Sequence, residues 1–155
     1  MVDNSAEFGV IYNPYVDEMF YAQRGCGAFC NGKRLHVSEE SLENAIVVFG
    51  TAPYREELNE KTFKLAYAYF KKALDVRRSG SAALDMCAVA AGRAELFFEL
   101  SLSPWDHAAG GLVVEEAGGL VTDCDGNALV YDRPCSVLAC NRAVFCGTDT
   151  PRIMV

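Results

Sequence analysis

The segment from residue 103 to residue 119 constrains this chain most, because a single carboxylate opens a helix otherwise built from small and apolar residues. Starting from Asp106, such residues recur with the spacing of one helix face, at Ala109, Gly110, Val113, Val114 and Ala117. A carboxylate on the first turn of a buried stripe needs water, amide donors or a metal ion, because burying it unpaired is costly. The sequence therefore leaves two interpretations of Asp106 open, a helix cap and a metal ligand.

Length, composition and charge predict one globular protein with a sizeable core. The chain has 155 residues, of which 51% are hydrophobic, and a chain of this size buries about two-thirds of its unfolded surface. The net charge of −7 argues against binding to nucleic acid or to acidic membranes, because both need a basic face. That charge does not exclude an anionic substrate, since bound cations can invert the local charge.

The cysteines and the apolar runs indicate where the protein functions. There are seven cysteines, an odd number, and no Cys-x-x-Cys pair, so neither a disulfide framework nor a zinc site is expected. No basic segment followed by an apolar run marks a signal peptide, and no apolar run reaches membrane-spanning length. We therefore expect a cytoplasmic protein without membrane contacts.

The order of strand-like and helix-like segments predicts two parts. The first 37 residues have β character and contain Asn31-Gly32, a pair that suits the type I′ turn of a tight hairpin. From residue 45 onward strands and helices alternate, which favours a layered α/β arrangement. We expect the edge of an antiparallel sheet over residues 1–40 and an α/β domain over 41–155, with a break near 38–44.

Two further helices are expected besides the one that Asp106 opens. The segment from about 57 to 74 is amphipathic. Its predicted buried stripe consists of Phe63, Ala66, Tyr67, Phe70 and Leu74. The segment 82–91 has Ser81 as a good N-cap and Gly92 as a good residue for ending the helix.

Five residues in or near these helices need interpretation. Gly80 and Ser81 start a helix and can direct free N–H groups towards an anion, although an ordinary cap has the same pattern. Glu99 ends a strand before a loop, where acids are solvated or bind ligands. Trp105 is expected in the core, or else as a lid over the site. His107 is expected on the surface or beside the site, and not as a base.

Several motifs, taken in order, resemble the inositol monophosphatase family. Trp105-Asp106-x-Ala108-Ala109-Gly110, ending in Glu116-Ala117-Gly118-Gly119, is similar to the second signature of that family. Shorter segments agree with it in the same order, namely residues 9–14, 25–32, 78–83 and 97–99. The resemblance covers residues 8–141. It implies an αβαβα layered fold of the sugar-phosphatase type, of which this chain would be the C-terminal portion.

The resemblance also implies an activity and a site. Members of this family hydrolyse inositol and sugar monophosphates with magnesium, are lithium-sensitive and usually form homodimers. Asp106 is accordingly expected to bind magnesium and to contact the substrate, and Glu99 to hydrogen-bond substrate hydroxyls. Gly80, Ser81 and Ala82 are expected to line the same pocket. The expected partner is a small phosphorylated polyol or sugar, and metal ions would polarise its phosphate and activate water.

One departure from the family pattern limits what this chain is expected to do. The family's first metal-binding signature, Asp-Pro-(Ile/Leu)-Asp-Gly-Thr, does not occur, because the chain contains no Asp-Pro. A single carboxylate cannot hold two or three magnesium ions tightly, so we expect a truncated phosphatase with incomplete activity. The tail from Cys146 to Pro151 also reads as irregular, where the family has a helix.

Two alternatives remain open from the sequence. One is a non-catalytic interaction or dimerisation remnant that uses an exposed sheet edge. The other is a phosphatase of fructose bisphosphate or of 3′-phosphoadenosine compounds.

Overall fold

A computed structural model describes residues 6–146, and it begins with a four-stranded antiparallel sheet. The strands follow chain order: β1 (Phe8–Asn13), β2 (Glu18–Gln23), β3 (Gly27–Cys30) and β4 (Lys33–Arg34). Between β3 and β4, Asn31 and Gly32 have φ values of 48° and 80°. Two consecutive positive φ values are what a type I′ turn requires, so the predicted hairpin is confirmed.

A second, mixed sheet contains five strands. They are β5 (Ile46–Phe49), β6 (Asp75–Arg77), β7 (Leu96–Leu102), β8 (Leu120–Thr122) and β9 (Cys135–Cys140). Their order across the sheet is β6-β5-β7-β9-β8. Strand β5 is parallel to β6 and β7, whereas β9 is antiparallel to β7 and β8. Between these strands lie helices, so the alternation of strands and helices expected after residue 45 is confirmed.

Four α-helices occur among residues 6–146. They are α1 (Asn59–Phe70), α2 (Ala82–Ala90), α3 (Pro104–Glu116) and α4 (Arg142–Cys146), and short 3-10 turns precede β5 and α1 at Leu42–Asn44 and Glu56–Leu58. Ser81 caps α2 as predicted, since its Oγ accepts the N–H of Leu84 at 3.4 Å. Helix α4 was not predicted, and it includes Cys146, the first residue of the expected irregular tail. The rest of that tail lies outside the described residues.

The helices and sheets form alternating layers. Helices α2 and α3 lie between the two sheets, and Met86 and Val113 from them share one core with Phe20 of the first sheet and Phe97 of the second. Helices α1 and α4 cover the other face of the second sheet. This arrangement confirms the layered α/β class, with an antiparallel sheet followed by an alternating part. The division into units 1–40 and 41–155 stays a prediction.

The small residues after Asp106 allow α3 to pack closely on both sides. A Cβ at Gly110 would lie 2.7 Å from Cε of Met86, so the side chain of Met86 in α2 packs directly on the backbone of α3. A Cβ at Gly9 would lie 3.1 Å from Cα of Ala109, which shows the same close approach between β1 and α3. The Ala109-Gly110 pair is thus explained by packing between layers.

The predicted buried stripe of α1 is wrong, apart from Ala66. The helix buries Thr62, Leu65, Ala66 and Tyr69 against the second sheet. In contrast, between 56% and 67% of the surface of each other stripe member is exposed, namely of Phe63, Tyr67, Phe70 and Leu74. Both faces of α1 are apolar, and periodicity alone does not show which of two apolar faces meets a sheet.

Two general properties follow from the described part of the chain. None of its helices is long and apolar enough to cross a bilayer. Five cysteines of the described part are free thiols, namely Cys26, Cys30, Cys87, Cys124 and Cys135.

Candidate substrate and metal site

Asp106 lies in the first turn of α3 and caps that helix. The N–H of Ser103 donates to Oδ2 of Asp106 at 3.1 Å, and the N–H of Asp106 donates to the carbonyl of Ser103 at 2.9 Å. The other carboxylate oxygen, Oδ1, has no hydrogen-bond partner among residues 6–146. The side chain is half-buried. One oxygen of Asp106 therefore serves as the cap, and the second is available to another ligand.

Glu99 lies in β7, where 8% of its surface is exposed. Its Oε1 accepts the N–H of Ala52 at 2.9 Å, and its Oε2 lies so close to Gly50 that a Cβ there would be 1.9 Å away. Burial raises the pKa of Glu99, the Ala52 N–H opposes that shift, and the charge of Asp106 adds to it. The negative charge of Asp106 is thus one cause of the raised pKa of Glu99.

Asp85 is a site residue that sequence reasoning missed. It lies in the first turn of α2 with only 3% of its surface exposed, and its Oδ1 accepts the hydroxyl of Ser79 at 2.5 Å. Its Oδ2 is buried without a partner among the described residues. Burial raises the pKa of Asp85, and its charge in turn raises the pKa of Glu99. The available signal was that Asp85 is the one charged residue in the apolar segment 82–91.

The side chain of Ser79 also fixes the turn before α2. Oγ of Ser79 accepts the N–H of Ser81 at 3.2 Å while its hydroxyl donates to Asp85. Gly80 has a φ of +99° and faces open space, whereas Ser81 and Ala82 are half-buried. Ser79 thus joins Ser81, one of the predicted pocket residues, to Asp85. The charge of Asp85 in turn acts on Glu99.

Arg78 supplies the positive charge beside these carboxyl groups. Its Nε donates to Oγ1 of Thr51 at 3.2 Å. This bond joins the turn before α2 to the loop after β5, in which the N–H of Ala52 donates to Glu99. Its charge lowers the pKa of both Asp85 and Glu99. A cation next to two buried carboxyl groups limits their mutual repulsion.

The described residues do not form a complete metal site. Asp106 offers one carboxylate oxygen, as described above. Among residues 6–146, no group of three or more His, Cys, Asp or Glu side chains could hold a metal ion. Magnesium prefers octahedral oxygen coordination and is often held by one or two carboxylates, waters and substrate phosphates. Asp106 fits the role of one such carboxylate.

One alternative of each prediction for the neighbours of Asp106 is wrong, namely the core for Trp105 and the surface for His107. Trp105 is not in the core, because 82% of its surface is exposed. His107 is not on the surface but fully buried. Its Nε2 lies 3.7 Å from Sγ of Cys135, and the centroid of its ring lies 5.3 Å from the ring centroid of Tyr131. Burial lowers the pKa of His107. Other parts of the protein surround most of helix α3. Because the side chains of a helix point in different directions around its axis, Trp105 lies in solvent while His107, two residues later, lies in the core.

Comparisons with known proteins identify the family of this chain. The chain matches the family model described as the inositol monophosphatase family over residues 1–149. It is 44% identical to Nus factor SuhB of Haemophilus influenzae over 140 residues, which are 89% of this chain and 52% of that protein. It is also 44% identical to inositol monophosphatase 2 of Solanum lycopersicum over 130 residues, which are 81% of this chain and 49% of that protein.

A solved structure shows the same fold. The inositol monophosphatase from Anabaena (Nostoc) sp. PCC 7120 superposes with a TM-score of 0.87 at 37% identity, covering 93% of this chain and 59% of that one. The chain spans about half the length of the curated relatives that it matches. With a family match over nearly the whole sequence and the same fold, this chain belongs to the inositol monophosphatase family.

Proposed function

We propose that this chain forms the substrate-binding side of a magnesium-dependent phosphatase of inositol or sugar monophosphates. The observation that carries the proposal is the grouping of Glu99 and Asp106 with the turn that opens α2. A phosphorylated polyol presents hydroxyl groups, which carboxyl oxygens accept, and phosphate oxygens, which the N–H groups at a helix start attract. In this proposal Glu99 supplies the carboxyl oxygens, and the start of α2 supplies the N–H groups.

Each residue has a distinct role in this proposal. Glu99 accepts substrate hydroxyls, and the Ala52 N–H holds its carboxyl group in place. Gly80, Ser81 and Ala82 line the pocket. Asp106 holds magnesium through Oδ1 and contacts the substrate, while the Ser103 N–H orients its carboxylate. A bound magnesium ion would polarise the phosphate ester and activate water.

Turnover needs more metal ligands than the described residues offer. One carboxylate oxygen is too few for the two or three ions that the family resemblance implies. We therefore expect this chain to bind a phosphorylated polyol without hydrolysing it unaided. Family membership supports a homodimer and, in the complete enzyme, lithium sensitivity. The expected cytoplasmic location and lack of contact with nucleic acid or membranes rest on the charge, the cysteines and the apolar runs of the sequence.

One observation favours a second candidate function, a non-catalytic interaction module. Several relatives of this chain are named Nus factor SuhB, rather than phosphatase, and the described residues contain no group of three or more side chains that could hold a metal ion. In that case the fold serves a macromolecular contact rather than catalysis.

Two measurements on the full chain and its Asp106→Asn variant separate these candidates. Isothermal titration with inositol 1-phosphate should show binding that magnesium strengthens in the native chain only. A phosphate-release assay should show no turnover by either protein. Absence of binding by the folded native chain would overturn the proposal in favour of the interaction module. Phosphate release that Asp106→Asn abolishes would confirm the activity and overturn the expectation that more ligands are needed.

A further inference from the structure

A cavity of about 300 Å³ opens on the α1 side of the second sheet. It is lined by the turn before α1, the first turn of α1, the end of β7, the loop after β8 and the start of β9. We call it the Lys61 cavity, after the lysine that α1 contributes. Its volume lies at the lower end of the range of small-molecule sites, about 300–1,000 Å³, so it suits a compact ligand.

The Lys61 cavity and the proposed substrate pocket lie on opposite faces of β7. Phe98 and Leu100 both pack in the core between the second sheet and α1, and Leu100 also lines the cavity. Because successive side chains of a strand alternate between its faces, Glu99 points to the other side. Ser101 lines the cavity in the stretch where the pairing of β7 with β9 is irregular. The sheet therefore separates a ligand in this cavity from Glu99.

Lys61 is a half-buried cation without a counter-ion. Its ammonium group forms no hydrogen bond or ion pair with another described residue. Its charge opposes the raised pKa of Cys124, a buried residue of the same lining. A cation in the first turn of a helix is also placed against the helix dipole, so Lys61 does not stabilise α1. A bound anion would compensate an ammonium group that the protein itself leaves unpaired.

Hydroxyl and guanidinium groups add further donors to the cavity. Ser101 has no hydrogen-bond partner within residues 6–146, and Ser136 accepts the Cys124 N–H at 3.0 Å but has no acceptor there for its own proton. Arg55 uses its Nε for Glu57, which leaves its terminal amino groups for other acceptors. Lysine and arginine can only donate. The lining therefore calls for a ligand rich in acceptor oxygens.

Two carboxylates limit the positive charge of the cavity without reversing it. Glu57 pairs with Arg55, and Asp125 lines the cavity but is exposed to solvent. Water and salt screen an exposed carboxylate more than they screen a half-buried ammonium group. Lys61 therefore determines the sign of the charge that a ligand meets.

We propose that the Lys61 cavity is a second ligand site, which binds a small oxyanion, that is, a phosphate or carboxylate group on a compact metabolite. Lys61 and the hydroxyls of Ser101 and Ser136 donate to the anionic oxygens. Leu58 and Leu100 supply apolar contacts to the rest of the ligand. This site does not depend on the proposed function.

Amide NMR titrations of the full chain at constant ionic strength test the proposal, with sodium phosphate in one series and sodium malonate in the other. We expect saturable shifts at Ser101 and Cys124 with at least one of these anions. A response to phosphate assigns the site to phosphate esters, and a response to malonate assigns it to carboxylic acids. No saturable shift at either residue with either anion would overturn the proposal.

Matched substitutions on α1 separate a built site from general attraction of anions. Lys61→Gln removes a charged donor and should raise the dissociation constant at least about tenfold. Lys64→Gln removes the same charge from outside the cavity, where Lys64 pairs with Glu60, and should change that constant less than about twofold. Circular dichroism should show that both variants keep their helices. Equal weakening by the two substitutions would overturn the proposal.

The hydroxyl donor has its own variant. Ser101→Ala removes a group that no described residue uses, so it should weaken binding about threefold without loss of folding. Unchanged binding in Ser101→Ala would contradict the assigned contact at that hydroxyl.

The same titrations distinguish this site from the proposed substrate pocket. Shifts at Ser101 and Cys124 should be unchanged without magnesium and in Asp106→Asn. Anion shifts confined to residues 80–82 would overturn the second site and leave the proposed pocket standing. A response at Ser101 and Cys124 in a chain that does not bind inositol 1-phosphate at residues 80–82 would defeat the proposed function and leave the Lys61 cavity standing.

Discussion

The main-chain N–H of Ala52 donates a 2.9 Å hydrogen bond to the carboxyl group of Glu99, and this bond ties the loop after β5 to β7. Ala52 has a φ of 41°, which is left-handed backbone and costs an alanine about 1–2 kcal/mol. The hydrogen bond to a buried acid offsets that strain. The loop conformation and the orientation of Glu99 therefore depend on each other.

Gly50 is predicted to be essential to this arrangement. Gly50→Ala would place a Cβ 1.9 Å from Oε2 of Glu99, so the carboxyl group or the loop must move. We expect a loss of about 1–3 kcal/mol in the free energy of unfolding and weaker binding of inositol 1-phosphate. Urea unfolding and isothermal titration measure the two effects.

Gly111→Ala is the matched control for that change. Its new Cβ would lie 3.8 Å from the nearest atom, on Val121, and Gly111 is inside α3. Alanine there should be neutral or should stabilise the protein by up to about 1 kcal/mol. Equal destabilisation by both substitutions would contradict the account of Gly50.

Glu99 is predicted to make the protein less stable as the pH rises. Its pKa in the folded protein lies above the ordinary value of 4.5, chiefly because of burial. In the window above 4.5 the folded state binds more protons than the unfolded chain, so stability falls as the pH increases through the folded pKa. Glu99→Gln removes this titration and keeps an oxygen for the Ala52 N–H.

Urea unfolding of native and Glu99→Gln protein at two pH values checks this prediction. The free energy of unfolding of the variant minus that of the native protein should be larger at about pH 7 than at about pH 4. A stability difference that does not change between the two conditions would contradict a raised pKa.

Two substitutions at Asp106 separate its capping role from its proposed metal role. Asp106→Ala loses the acceptor for the Ser103 N–H and should cost about 0.5–2 kcal/mol of stability. Asp106→Asn keeps an acceptor and should cost less than about 0.5 kcal/mol. Both variants should lose the strengthening of ligand binding by magnesium. Retention of that effect in Asp106→Asn would show that Asp106 does not bind the metal.

His107 is predicted to destabilise the protein in mild acid. Burial lowers its pKa below the ordinary value of 6.5, so below that pH the unfolded chain binds more protons and stability falls. Its Nδ1 is buried without a described partner, so His107→Leu removes an unsatisfied group. The variant should lose less stability than the native protein between about pH 6.5 and pH 5. Parallel stability curves for the two proteins would refute this assignment.

Local signals explain which parts of the fold were predictable. The Asn31-Gly32 turn and the Ser81 cap depend on residues next to each other in the chain, and both were correct. The class of fold followed from the alternation of segments and from the family resemblance. The buried face of α1 was wrong because the helix has two apolar faces, and only the sheet decides between them.

The candidate site was predictable only in part, for a similar reason. Asp106 and Glu99 lie in motifs that resemble those of the family, so the sequence could nominate them, and their role stays a prediction. Asp85 was missed because an acid in a first helical turn normally complements the dipole in solvent, whereas this one is buried beside Ser79. Gly50 was missed because its need for glycine arises from Glu99, which approaches from a distant strand.

The most direct test of the proposed pocket is an amide NMR titration of the full chain with inositol 1-phosphate and magnesium. The account predicts shifts at Gly80, Ser81 and Ala82 that Asp106→Asn weakens, while the remote turn at Gly126 stays unchanged. A folded chain whose amides at 80–82 do not respond, or respond no more than Gly126, would contradict a substrate pocket at the start of α2.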